Sequence, residues 1–188
     1  LRVCVSEAIA SDVRVALLVG NQQGWGKDPF LRYALSGDLR PLAQTLRRLG
    51  FEVKTVENKS PAELRKALQW IRRRVHRRPL VKTFLFYYSG HSDRNALHMG
   101  RHRKNPMRYH ELVSFFKKLK VDRRFVILDS CFSGEIIRKF GSLQRYRHLV
   151  PKGARARHFI DLGRGIPRQS DAKSLQVLSS GLAVSWES

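Results

Sequence analysis

Three short runs of apolar residues, rich in β-branched and aromatic types, recur along the chain with helical patterns between them. They are VRVALLVG at 13–20, VKTFLFYY at 81–88 and RFVILDS at 124–130. No other feature constrains the fold as tightly. Runs without polar alternation need cover on both faces, which a parallel sheet between helical layers provides. FEVKTVE at 51–57 alternates as a further strand, and SLQVLSSGLAV at 174–184 reads as a last strand and its exit.

The segments between these runs carry helical periodicity. In 38–49, Leu39, Leu42, Leu46 and Leu49 share one face, Asp38 stands where an N-cap would, and Gly50 where a helix stops. In 60–75, Ser60, Pro61 and Glu63 spell a capping box ahead of an amphipathic helix. In 108–119, Leu112, Phe115, Phe116 and Leu119 face inward. Strands alternating with helices predict an α/β, three-layer fold. It has a mostly parallel sheet of about five strands in the order 2-1-3-4-5, right-handed crossovers and helices on both faces. Residues 13–188 are expected to form one domain, with 141–173 as a long basic loop and 1–12 as an N-terminal leader or linker. Ala8-Ile9-Ala10 has the small-x-small spacing of a leader's end, but no compartment follows from it.

Function in an open parallel sheet collects at the carboxyl ends of the strands. Two of those ends carry reactive side chains: Tyr87 to Asp93, containing His91, and Leu128 to Glu135, containing Cys131. Neighbouring strands lie about 5 Å apart, so strands adjacent in the sheet bring His91 and Cys131 to one cleft. A thiol beside an imidazole is the minimal nucleophile and base pair for acyl transfer. Cys4 is the other cysteine, and two cysteines make no disulfide scaffold. No Cys/His cluster has zinc-ligand spacing, so no structural metal is expected.

The net charge of +22 attracts acidic partners at long range, with basic clusters at Arg72 to Arg74, Arg101 to Lys104, Lys117-Lys118 and Arg145 to Arg157. Nucleic-acid binding is not favoured, because no recognition motif accompanies the charge. The turn Gly20-Asn21-Gln22-Gln23-Gly24 matches neither a phosphate loop nor a dinucleotide fingerprint, which disfavours a nucleotide binder. No apolar run is long enough to span a bilayer.

Phe86-Tyr-Tyr-Ser-Gly-His-Ser-Asp93, followed forty residues later by Leu128-Asp-Ser-Cys-Phe-Ser-Gly-Glu135, resembles the caspase and metacaspase superfamily of cysteine peptidases, its bacterial members above all. The segments Val15 to Asn21 and Leu31 to Leu39 share the likeness, which runs from about Val13 to the C-terminus. The resemblance implies an endopeptidase acting on protein or peptide substrates, with Cys131 as nucleophile and His91 as general acid and base. It implies an oxyanion hole from the amides of Ser92 and Cys131, with Ser92 standing where relatives often have Gly. It implies a specificity pocket from Asp38, Ser89 and Asp129 that accepts Arg or Lys. No cofactor is implied for the chemistry, and calcium activation stays open. Relatives continue past a segment like Leu175 to Ser188, so a C-terminal segment or subunit that completes the cleft is expected as a partner. The competing reading is a catalytically inactive, basic binding module on the same fold.

Overall fold

The first strand, β1 (Val13–Gly20), takes up a central place with neighbours on both edges. The structure, a computed structural model, describes residues 13–77, 81–101, 103–131, 133 and 174–179. After β1 come a π-helical turn (Ala34–Leu39), α1 (Arg40–Arg48), β2 (Phe51–Glu57), α2 (Pro61–Arg77) and β3 (Val81–Ser89). Then follow β4 (Ala96–Leu97), β5 (Met107–Arg108), α3 (Tyr109–Lys118), β6 (Arg123–Asp129) and β7 (Ser174–Ser179).

The main sheet has five strands in the order β2-β1-β3-β6-β7, each pair parallel. With the two-residue strands β4 and β5 set apart as their own antiparallel pair, this is the predicted order 2-1-3-4-5. The expected long loop at 141–173 and the leader at 1–12 lie outside the described residues.

Both faces of the sheet are covered, which explains the unbroken apolar runs. On β3, Phe84, Phe86 and Tyr88 point to one face and join Leu64, Ile71, Leu112 and Phe116 of α2 and α3. Leu85 and Tyr87 point to the other and join Leu39, Ala43 and Leu46 of the π-turn and α1. Among the described residues, α1 therefore covers one face and α2 with α3 the other. Phe86 and Phe116 meet with ring centroids 5.2 Å apart in a tilted arrangement, typical of paired aromatic side chains.

Ser60 and Glu63 form the expected capping box. The Ser60 amide donates to Glu63 Oε2 at 3.1 Å, and the Glu63 amide donates to Ser60 Oγ at 3.4 Å. Asp38 corrects the reading. It caps no helix, because the chain is already helical from Ala34 and runs through Leu39 into α1. Its carboxylate instead accepts a hydrogen bond of 3.0 Å from the Ser89 hydroxyl, 51 residues away. An Asp before a helical pattern looks the same in sequence whether it caps locally or reaches across to a strand. Among the described residues, no helix is long and apolar enough to cross a membrane.

Candidate active site

The strand order turns about β1: β2 lies on one side of it and β3 on the other. A crevice opens at such a switch point, beyond the carboxyl ends of the strands. The loops that follow β1, β3 and β6 meet there.

Ser89 and Asp129 are register partners at the ends of β3 and β6. His91 and Cys131 each follow two residues later, on the loops that leave these neighbouring strands. The loops are bound to one another. Gly90 N–H donates to Asp129 O at 3.2 Å. The Ser92 hydroxyl hydrogen-bonds to the Cys131 carbonyl and lies 3.0 Å from the Ser130 hydroxyl. Cys131 is half-buried and takes part in no disulfide among the described residues. Phe132, Gly134 and Glu135 of its motif lie outside the described residues.

His91 is held at both its backbone and its ring. Its carbonyl accepts from the Tyr88 hydroxyl at 2.7 Å and from the His98 amide at 2.9 Å. Tyr88 is fully buried, and burial first, then the neighbouring Tyr109 and Asp28, raises its phenol well above the usual range, so it remains a donor. The ring Nε2 of His91 lies 2.7 Å from the carbonyl oxygen of Pro29. A carbonyl only accepts, so Nε2 carries the proton and Nδ1 is the basic nitrogen of the neutral ring. Pro29 was not singled out in the sequence. Its contribution is a backbone oxygen, which no side-chain motif announces; only its place in the loop after β1 hinted at it.

Beyond His91 the chain turns back on itself. Ser92 opposes Leu97 in an antiparallel bridge, and the bonds fall on the flanking residues, Asp93 N–H to Ala96 O and His98 N–H to His91 O. Ser92 thus holds a non-hydrogen-bonded position, whose own amide points away from the opposite strand. Its hydroxyl is buried, clasping the Cys131 turn.

Asp38, Ser89 and Asp129, expected to share a pocket, also come together. Ser89 bonds Asp38, and Asp129 sits beside Ser89 in register, on the same sheet face. Tyr87 lies under all three. Its phenol is pushed up by burial, then by the charges of Asp129 and Asp38, while a hydrogen bond to Ser89 opposes the rise. Both carboxylates are therefore within electrostatic reach of one point. Among the described residues, no group of three or more His, Cys, Asp or Glu side chains has the arrangement to hold a metal ion.

A family model described as the caspase domain matches residues 13–179. No curated protein matches the chain. Among solved structures, that of pro-sf-caspase-1 is similar, with a TM-score of 0.53 at 16% identity. The similarity covers 90% of this chain and 59% of that one, so the chain spans less than two thirds of its neighbour's length. At this identity the likeness concerns the fold alone.

Proposed function

The chain belongs to the caspase-like superfamily of cysteine peptidases, and from that premise we propose that it is a cysteine-type endopeptidase in which Cys131 and His91 carry the chemistry. His91 Nδ1 takes the thiol proton, and the thiolate attacks the scissile carbonyl carbon. The amides of Ser92 and Cys131 stabilise the developing oxyanion. The imidazolium then passes its proton to the leaving amine as the C–N bond breaks. Water, deprotonated by the same nitrogen, attacks the thioester, and the peptide acid leaves as the thiol is restored. The observation that best supports this reading is the bond between His91 Nε2 and the Pro29 carbonyl, which gives the ring the tautomer a base needs.

The same proposal includes cleavage after Arg or Lys. Asp38 and Asp129 would pair with a cationic side chain, with Ser89 between them. Each well-made charge-assisted bond contributes about 1.5–3 kcal/mol. The strongly basic surface repels cationic substrates, but that field is screened beyond about 8 Å at physiological salt. The local carboxylates therefore dominate.

A panel of fluorogenic peptides with Arg, Lys, Asp or Leu before the cut tests the reading in the full-length protein. Arg and Lys peptides should be fastest. In Asp129→Ala, kcat/KM for the Arg peptide should fall about 10–100-fold, while the Leu peptide changes little. Preference for Asp, or undiminished Arg cleavage in the variant, contradicts the acidic pocket.

A further inference from the structure

His98 is not part of the thiol–imidazole pair, yet both ends of His91 lead back to it. Its amide holds the His91 carbonyl at 2.9 Å. Its side chain lies against the loop that holds the His91 ring. His98 Nδ1 is 2.6 Å from Asp28 Oδ2, and a carboxylate only accepts, so Nδ1 donates. Asp28 immediately precedes Pro29, whose carbonyl binds His91 Nε2. The contacts close into a ring: His91 carbonyl, His98 amide, His98 imidazole, Asp28 carboxylate, Pro29 carbonyl, His91 imidazole.

The surroundings are built around the His98–Asp28 contact. Trp25 stacks on the His98 ring with centroids 3.9 Å apart and planes 18° apart. The Trp25 amide donates to the same Asp28 oxygen at 2.7 Å, and its indole N–H donates to Met99 O at 3.2 Å. Asn21 Nδ2 donates to His98 O at 3.0 Å. Gly24 lets Asp28 approach, since a Cβ there would fall 2.0 Å from Asp28 Oδ2. On the other side, His98 Nε2 lies 3.4 Å from Asp93 Oδ2 without the alignment of a hydrogen bond. Burial raises the Asp93 carboxyl, but the amides of Asn95 and Ala96, and then His98, outweigh it and hold the carboxyl below its usual value.

We propose that His98 is a positioning residue for His91: by donating to Asp28 it sets the loop so that the Pro29 carbonyl selects the Nε2–H tautomer of the catalytic imidazole. The proposal rests on reading His91 as the general base, but its central observable is the state of a ring rather than turnover.

Two substitutions separate the hydrogen bond from the stacking. In His98→Asn the side-chain amide nitrogen occupies the place of Nδ1 and still donates to Asp28. In His98→Phe the aromatic contact with Trp25 survives and the donor is lost. Nitrogen-15 NMR of the imidazoles in the full-length protein reads the tautomer directly. The wild type and His98→Asn should both show His91 protonated at Nε2, whereas His98→Phe should show a mixture. Turnover of an Arg peptide should follow the same order, kcat falling roughly 10–100-fold in His98→Phe with KM within about two-fold, as expected for a misplaced catalytic group. Asp28→Ala asks the same question from the other partner and should resemble His98→Phe. A His91 tautomer unchanged in either folded donor-deleting variant overturns the proposal, as does the reverse order, with Phe retaining function and Asn losing it. A wild type that keeps the Nε2–H tautomer but cleaves no peptide would instead count against the peptidase reading and leave the positioning role standing.

Discussion

Replacing Cys131 by Ala in the full-length protein is expected to lower kcat for peptide hydrolysis by roughly 10⁴-fold or more while leaving the fold unchanged. The substitution removes the sulfur proposed as nucleophile, just past the end of β6, at a half-buried position outside the buried hydrophobic core. Without it the proposed thioester cannot form, and only the proposed stabilisation of the transition state by the Ser92 and Cys131 amides would remain. His91→Ala should cost a comparable factor, since the thiolate and its base act as one unit. The double variant should be little worse than either single one, because groups that act together are strongly non-additive. Kinetics on purified variants, with circular dichroism to establish folding, measures all three. A Cys131→Ala protein within about ten-fold of wild type would remove the proposed nucleophile.

The second large effect comes from a residue with no functional group. A Cβ at Gly90 would lie 2.5 Å from the Tyr88 hydroxyl, 2.8 Å from its ring carbon and 3.0 Å from the Asn21 backbone oxygen. None of these can step aside cheaply. Tyr88 is completely buried and uses its hydroxyl to hold the His91 carbonyl, while the Asn21 amide is tied to Ser89 O at 2.9 Å. Gly90→Ala should therefore cost about 1–3 kcal/mol as overpacking. It should also displace His91, the next residue, from the Pro29 carbonyl. We expect Tm to fall by about 5 °C and kcat/KM by on the order of 10²-fold. Thermal unfolding and kinetics on the same sample check both; wild-type values for each would show that the close approach is not needed.

The parts of this account that were legible in the sequence are those decided by local pattern. β1 and β3 read as buried strands because both of their faces meet helices, and the Ser60–Glu63 capping box is a contact between residues three apart. His91 and Cys131 were each legible as reactive residues two past a strand end, and the strands that carry them are neighbours in the sheet. What escaped is what depends on distant partners or on backbone atoms. Asp38 reads locally as a helix cap, and only the family resemblance grouped it with Ser89, the partner 51 residues away whose hydroxyl donates to it. The Pro29 carbonyl and the His98–Asp28 contact depend on how the loop after β1 folds over the β3 exit, which no periodicity encodes. β4 and β5 are two residues each, too short for alternation to be seen.

The central claim is that Cys131 is a thiol activated by His91. The most direct measurement is labelling of the full-length protein with an Arg-directed peptidyl chloromethyl ketone, followed by peptide mapping of the adduct. The account predicts a thioether on Cys131 and none on Cys4. The rate should fall to that of an ordinary thiol on denaturation, and by about 100-fold or more in His91→Ala. An adduct on Cys4, or a Cys131 that reacts no faster folded than unfolded, would contradict it and favour a basic binding module on a peptidase fold.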